Sequence, residues 1–230
     1  MSTRRRSIEQ IVEEQVHRWD YTHRESKLEK MPRYVITLSR EPGSGGELVA
    51  KGISEHLNLD LFHQKVIHEM ARSAKVSSQL VQSLDEKALN ILEDSIAAAI
   101  EKHHLWPDEY LKHLLKVIGT IGNHGNAVII GRGANFILPR ENIFRIRVIA
   151  SSEFRAKKVA ETFDITLKDA KRRILKTESD RKAFVRKYFH KDIADPSNYD
   201  VVLNTSSISL SEAIECCCCI LNARSQNFIR

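Results

Sequence analysis

Residues 35–47 read VITLSREPGSGGE, the most informative stretch of the chain. An apolar run typical of a β-strand, Tyr34–Leu38, is followed by three glycines within four positions, Gly43, Gly45 and Gly46, and then by a helix-like pattern. Glycines let backbone N–H groups converge on an anion, and the N-terminus of a helix adds partial positive charge. The order of strand, glycine turn and helix therefore predicts a phosphate-binding loop, and so a phosphorylated ligand such as a nucleotide.

The loop departs from the usual P-loop pattern, GxxxxGK[ST], in which the lysine reaches the β/γ-phosphates and the hydroxyl binds Mg²⁺. With Gly45 aligned on the second glycine, Arg40 stands at the first glycine, Gly46 at the lysine and Glu47 at the serine or threonine. Taken alone, the segment leaves open a tight strand-to-helix turn that binds nothing.

Length and composition favour one domain with a sizeable insertion, because 230 residues with 42% apolar content can bury a core. The chain has no run of 18 apolar residues, so we predict no membrane partner. Its first residues, MSTRRRSIEQ, are basic but lack the apolar segment of a secretory signal. We therefore expect a cytoplasmic protein.

The four cysteines are consecutive, Cys216–Cys219. On a helix, neighbouring side chains point about 100° apart, so four in a row do not converge on one metal ion. Free cysteine packs as a small apolar residue. We expect these residues to be small, buried and reduced, and we predict no metal site in the protein.

Positive charge is concentrated in one segment. The chain carries a formal charge of +6, and residues 168–191 hold ten Lys/Arg against three acids. Such a segment attracts a polyanion, either nucleic acid or the phosphates of a nucleotide. The alternative is a solvated basic face of a helix.

Short, wholly apolar strands alternate with helical patterns, which indicates a parallel sheet covered by helices on both faces. Strands are predicted at Tyr34–Leu38, Leu59–Phe62, Ala127–Ile130, Ile143–Ala150 and Val201–Leu203. Helices are predicted at 1–31, Gly46–Leu57, through most of 65–122, from Thr166 to about Lys176 and from Ser209.

Ligands of such a sheet bind beyond the carboxyl ends of its strands. The loop Ser39–Gly46 lies at one end, and Gly131-Arg132-Gly133 follows another strand, where the planar fork of Arg132 suits a phosphate. An ordinary turn with a solvent-facing arginine is the alternative. A third element, an arginine-rich segment closing over two phosphates, would stabilise charge in phosphoryl transfer; its arginines are Arg172, Arg173, Arg181 and Arg186. Three such elements suit a kinase of small nucleotides.

The chain resembles the cytidylate kinase-like proteins, a branch of the P-loop nucleoside monophosphate kinases. Four stretches within about 33–72 and 127–220 carry the resemblance: VITLSREPGSGGELVAKGISEHL, AVIIGRGANFIL, FRIRVIASSEFRAKKVAE and SDRKAFVRKYFHKDIADPSNYDVVLNTSSISLSEAIE. The resemblance implies a P-loop kinase fold over 32–230, with a helical insertion at about 65–125 and an arginine-rich lid at about 168–191. Residues 1–31 would be a helical extension. It also implies phosphorylation of CMP or dCMP by ATP with Mg²⁺.

By the same resemblance, the glycine loop Gly43–Gly46 would hold the phosphates of ATP, and Arg132 the phosphate of the acceptor. The remaining residues carried over are Arg155 on the following helix, the lid arginines Arg172, Arg173, Arg181 and Arg186, and Asp180, which would orient one of them. Ser39 or Ser44 would supply the hydroxyl on the metal side. Apart from the resemblance, the charge of the missing lysine could come from the lid arginines, from Arg40 or from Lys51 on the first helix, and we expect the lid arginines as the main source with Arg40 second.

Phe62-His63 stands where the branch often has Tyr-Asp near the acceptor nucleoside. This difference counts against CMP as the acceptor more than against the fold. Two other functions stay open: a regulatory nucleotide-binding module with little turnover, and an RNA-binding protein that uses 168–191. RNA binding is less favoured, because the aromatic residues of 168–191 cluster at one end of this segment instead of interleaving with the cations. The oligomeric state stays open.

Overall fold

The computed structural model describes residues 7–26, 34–102 and 108–227. They divide into two compact units, one drawn from 34–62 and 126–230 and the other from 1–33 and 63–125. The predicted boundary at residues 31 and 32 falls in 27–33, outside the described residues, as do residues 1–6 of the predicted extension.

The first unit is built on a sheet of five parallel strands in the order β2-β3-β1-β4-β5. The strands are β1 (Val35–Arg40), β2 (Asp60–Phe62), β3 (Ala127–Ile130), β4 (Phe144–Ile149) and β5 (Val201–Asn204). This order places β1 at the centre, with β3 and β4 on either side. The predicted parallel sheet is confirmed.

Ten α-helices are described: α1 (Ile8–Ser26), α2 (Gly46–Leu57), α3 (Gln64–Arg72), α4 (Ala74–Gln82), α5 (Glu86–Lys102), α6 (Glu109–His124), α7 (Ala134–Ile137), α8 (Ser152–Phe163), α9 (Leu167–Phe189) and α10 (Leu210–Asn227). Single 3₁₀ turns lie at Arg140–Asn142 and Pro196–Asn198. None of the helices among the described residues is long and apolar enough to cross a membrane.

Two predicted boundaries need correction. Strand β1 continues to Arg40, because Ser39 and Arg40 pair with Arg147 and Val148 of β4. Helix α9 was expected to end near Lys176 and instead runs to Phe189. Apolar side chains recur along one side of α9 over its whole length, so burial continues beyond the point where charge dominates the sequence; they are Ala170, Ile174, Val185 and Phe189.

One face of the sheet packs against α2 and α10. Alternate strand residues such as Ile36 and Leu38 are buried against Val49 of α2 and Cys217 of α10. The two helices approach closely, since a Cβ at Gly52 would lie 2.2 Å from the Cδ1 atom of Ile214. Helix α2, which begins at the glycine loop, is therefore held from both sides.

The cysteine run lies on α10 and is only half buried, which corrects the expectation for all four. Cys217 and Cys218 are buried, whereas Cys216 and Cys219 are exposed, because consecutive residues turn around the helix. Burial raises the pKa of the Cys217 thiol to about 12. Cys217 thus behaves as a small core residue.

The second unit contains α1 and α3–α6. Helix α1 begins with a capping box, in which Ser7 N–H donates to Gln10 and Gln10 N–H donates to the Ser7 hydroxyl. Val12 and Trp19 are buried, and the Trp19 ring stacks on His124 of α6 with centroids 3.9 Å apart. The amphipathic N-terminal helix therefore packs onto α6 instead of standing free.

Candidate functional site

The glycine loop joins the end of β1 to the start of α2. Gly43 and Gly45 have φ values of +81° and +74°, in the left-handed region that favours glycine. A Cβ at Gly43 would lie 2.7 Å from the backbone oxygen of Arg155. Backbone conformation and close packing therefore both require glycine here.

The loop presents backbone donors at the start of α2. Leu48 and Val49 donate their N–H groups to the oxygen of Gly45. The N–H groups of Gly45 and Gly46 donate to no acceptor among the described residues. Two N–H groups at a helix N-terminus suit an anion.

Ser44 supports the loop from inside. Its hydroxyl donates to the backbone oxygen of Glu41 at 2.9 Å, and its own backbone oxygen accepts from the Thr205 hydroxyl at 2.7 Å. Ser44 is fully buried. Its hydroxyl therefore closes the turn and does not face a ligand in this conformation.

Arg40 occupies the space next to the position of the missing lysine. A Cβ at Gly46 would lie 2.5 Å from the Cβ and 3.1 Å from the Cγ of Arg40, so the stem of Arg40 excludes a side chain at 46. The Arg40 Nη2 atom lies 3.0 Å from Glu47 Oε1, and its buried Nε has no hydrogen-bond partner. Burial, reinforced by the charge of Arg132, lowers the pKa of Arg40, while Glu47 opposes the shift.

Arg181 of α9 also reaches the loop. Its Nη1 donates to the backbone oxygen of Arg40 at 2.7 Å. Burial, followed by repulsion from Arg40, lowers the pKa of Arg181 to about 10. This arginine is therefore charged at neutral pH but held in a site where its charge is poorly solvated.

The other predicted lid residues lie elsewhere on α9. Arg172 pairs with Asp169 at 3.1 Å, and the Arg173 guanidinium lies 3.8 Å from the Phe163 ring centroid. Arg186 and Asp180 are exposed. Arg172 is nine residues before Arg181, about 13 Å along the helix, so the structure does not bring the four lid arginines together.

Arg132 follows β3 in a strained turn. Its φ is +53°, uncommon for a residue with a side chain, and Gly131 and Gly133 on either side are also left-handed. The Arg132 Nε atom is buried without a hydrogen-bond partner, and the guanidinium lies 5.3 Å from the Phe184 ring centroid. Backbone strain and an orphaned donor at one residue are typical of a functional position.

Arg147 of β4 is a site residue that the sequence reasoning missed. It is 6% exposed, and its Nη1 donates to the Ser39 hydroxyl at 3.0 Å. Its Nη2 lies 3.6 Å from Glu41 Oε1. Two arginines, Arg145 and Arg147, alternate within the apolar run FRIRVI, and buried arginines need partners. That alternation was the available signal.

Arg155 of α8 is satisfied by protein groups. It donates to the Ala150 oxygen at 2.9 Å, lies 3.3 Å from Glu41 and pairs with Glu178 of α9. These contacts tie α8 and α9 to the loop. Binding of a substrate by Arg155 stays a prediction.

The charges around the loop do not balance. Five arginines meet three glutamates, which leaves a formal charge of +2: Arg40, Arg132, Arg147, Arg155 and Arg181 against Glu41, Glu47 and Glu178. Concentrated, partly desolvated positive charge is costly without an anion. The arrangement is therefore suited to bind a group with several negative charges.

Protein ligands for a divalent ion are few here. Among the described residues, no group of three or more His, Cys, Asp or Glu could hold a metal ion. Glu47, 61% exposed at the loop, is the accessible carboxylate. This fits Mg²⁺, which is usually held by one or two carboxylates together with substrate phosphates and water.

The sheet order, the glycine loop and the strand-end arginines define a P-loop kinase-type α/β fold. The profile of the cytidylate kinase-like family matches residues 35–207, and the chain belongs to that family. The match covers the whole candidate site, from β1 through β5.

Related proteins agree with this assignment. The chain is 28% identical to a cytidylate kinase of Pyrobaculum islandicum over 181 residues, covering 78% of this chain and 88% of the relative. It is 29% identical to a cytidylate kinase of Staphylothermus marinus over 180 residues, covering 77% and 90%. A crystal structure of an uncharacterized protein from Eubacterium ventriosum has a TM-score of 0.67 at 21% identity, covering 83% of this chain and 99% of that one. The last likeness supports the fold alone.

Proposed function

We propose that this protein transfers the γ-phosphoryl group of ATP to a nucleoside monophosphate, CMP or dCMP in the first place. The observation that carries the proposal is the excess of arginine over glutamate around the glycine loop, with unpartnered Nε atoms on Arg40 and Arg132. Two phosphorylated substrates would supply the missing negative charge. The family and its relatives named cytidylate kinase support the choice of acceptor.

In this proposal the loop holds ATP. The N–H groups of Gly45 and Gly46 would donate to its phosphates, and the Arg40 guanidinium would supply the charge that lysine supplies in a usual P-loop. Glu47 would accept from Arg40 and stand near Mg²⁺. ATP with Mg²⁺ supplies the phosphoryl group, and the chain positions it and neutralises its charge.

Arg181 would act on the transferring group, because it lies next to Arg40 and comes from a separate element, α9. Arg132 would hold the acceptor's phosphate from the end of β3. Arg147 would hold Ser39 in place at the loop. Roles for Arg155, Arg172, Arg173, Arg186 and Asp180 remain predictions, and the last four would require a different position of α9.

The experiment is a panel of nucleoside monophosphates incubated with ATP and Mg²⁺, with ADP release followed continuously and the new diphosphate identified by chromatography. CMP and dCMP should turn over faster than AMP, GMP, UMP and dTMP. Faster turnover of another monophosphate would keep the kinase proposal and discard CMP. The absence of ADP release with every acceptor would discard turnover.

A regulatory module that binds nucleotide with little turnover is the second candidate. The observation that favours it is Gly46 in place of the lysine, together with Glu47 in place of the metal-binding hydroxyl. Tight ATP binding without ADP release from the full panel would support this function. A cytoplasmic location suits either function, since both use nucleotides and the chain carries free thiols on α10.

A further inference from the structure

Most of the basic segment is not used by the candidate site. Of the cations on α9, Arg181 donates to the backbone oxygen of Arg40 beside the glycine loop, whereas eight others are exposed: Lys168, Lys171, Arg172, Arg173, Lys176, Lys182, Arg186 and Lys187. With 100° between successive residues, six of these side chains fall within an arc of about 140°, namely Lys168, Lys171, Arg172, Lys176, Lys182 and Arg186. They form one strip along the helix, named here the α9 basic stripe.

The stripe is long, and an acid compensates one of its six cations. Lys168 and Arg186 are 18 positions apart, about 27 Å along a helix. The acids of α9 lie outside the arc, and Glu178 among them is paired with Arg155. Apart from Arg172, which pairs with Asp169, no member has an ion-pair partner among the described residues.

Three of the exposed lysines on other helices are arranged differently. Lys51, Lys112 and Lys158 each pair with a glutamate three or four residues away on the same helix. Such pairs are the ordinary way in which a solvated helix face limits its charge. The absence of these pairs along the stripe leaves a row of like charges, which is unfavourable without a polyanion.

We propose that the α9 basic stripe binds the phosphate backbone of nucleic acid without regard to sequence. A straight row of cations about 27 Å long matches a regular polyanion such as a nucleic acid strand. The stripe itself presents no row of aromatic side chains for stacking, so contacts with phosphates would dominate and binding would depend strongly on salt.

An anionic membrane fits the stripe less well. Helices that lie on membranes bury a wide apolar face. Within the stripe the exposed large apolar residue is Leu175, and the apolar side of α9 is buried within the protein at Ile174 and Val185.

The test measures binding of the full chain to labelled 20-nucleotide RNA and to a 20-base-pair DNA duplex by fluorescence anisotropy between 50 and 200 mM KCl. Five unpaired cations predict a slope of log K against log salt of about −3.5 for the single strand and about −4.5 for the duplex. Affinity for the single strand should therefore fall by about 10²-fold across this range.

The variant Lys168→Gln/Lys171→Gln/Lys176→Gln should lose at least tenfold in affinity at 50 mM KCl, and its slope should be smaller by about 2. The matched control, Lys112→Gln/Lys116→Gln/Lys158→Gln, loses the same net charge from other exposed positions and should keep the wild-type slope. Neither variant changes a residue of the glycine-loop site, so ADP release or ATP binding should be unchanged.

Three outcomes would overturn the proposal. They are no binding at 50 mM KCl, an equal loss of affinity in the two triple variants, and binding to vesicles with 30% phosphatidylserine in the absence of nucleic acid binding. A fourth such outcome is displacement of RNA by ATP beyond the effect of the added ionic strength, because the stripe would then belong to the nucleotide site.

Discussion

Replacing Arg40 with methionine should abolish most phosphoryl transfer while leaving the loop folded. Methionine keeps the Cβ and Cγ atoms that fill the space beside Gly46. The backbone oxygen that accepts from Arg181 is also kept. The substitution therefore removes the guanidinium with little change in packing.

The expected loss follows from the position of this charge. A cation about 4 Å from a phosphate charge, at an effective dielectric constant of about 20, contributes about 4 kcal/mol. The competing pair with Glu47, which is 61% exposed, offsets about 1 kcal/mol of this. The remaining 3 kcal/mol or so corresponds to a decrease in kcat/KM of about 10²-fold.

The free variant should be as stable as the wild type or more stable, because Arg40 is 7% exposed and its Nε is unpartnered. The substitution removes a poorly solvated charge, and Glu47 is exposed enough to be solvated by water when it loses its partner. Turnover is measured by ADP release with the preferred acceptor, and stability by urea unfolding.

Arg40→Lys serves as the control, since it keeps a cation together with the Cβ and Cγ atoms beside Gly46. Its kcat should be within about tenfold of wild type. The assignment of the lysine's role to Arg40 would be refuted if the Arg40→Met variant kept the wild-type kcat/KM while an Arg181 variant in the same assay was inactive.

Three further predictions concern single positions. Arg132→Asn should raise the acceptor KM at least tenfold and leave ATP affinity within about twofold. Asparagine is chosen because it tolerates positive φ. Unchanged kinetics with every acceptor would exclude a phosphate contact. Gly45→Ala should destabilise the protein by about 1–3 kcal/mol, because the φ of residue 45 is +74° and the new Cβ would lie 2.8 Å from Leu210 Cδ2. Adding Leu210→Ala should restore part of the lost stability in urea unfolding. Strictly additive effects of the two substitutions would contradict the contact. Folding raises the pKa of the Cys217 thiol from 9.0 to about 12, so its contribution to stability is intact below pH 9 and is lost as pH rises from 9 towards 12. Above pH 9 the free energy of unfolding of Cys217→Ala should therefore fall less steeply than that of the wild type. Parallel plots of unfolding free energy against pH for the two proteins would refute the raised pKa.

Local patterns predicted most of the sheet unit. Helix α2 and strand β3 begin and end at the predicted residues, because a glycine loop and a short apolar run have sharp boundaries. The capping box at Ser209 and Glu212 forms as the spacing predicts. These features depend on neighbours within a few residues, which the sequence shows directly.

The length of α9 and the burial of the cysteines could not be predicted in the same way. The second half of α9 is dominated by charge, and its helix is maintained by packing of Val185 and Phe189, which local propensity does not report. Which two cysteines face the core depends on the rotation of α10 against α2, a property of the packed helices.

Local sequence patterns are enough to identify three features of this protein: a glycine loop after an apolar strand, an arginine between glycines at a second strand end, and a surplus of cations in one segment. These are residue types at short spacing, and a single strand or helix suffices to interpret them. Which cations meet depends on the packing of the sheet and its helices. This packing brought Arg181 and Arg147 to the loop, placed Arg40 beside Gly46 and left Arg172, Arg173 and Arg186 away from the loop. For Arg181 and Arg147 the reason is that contacts between residues more than a hundred positions apart depend on strand order and helix rotation, which no local pattern encodes.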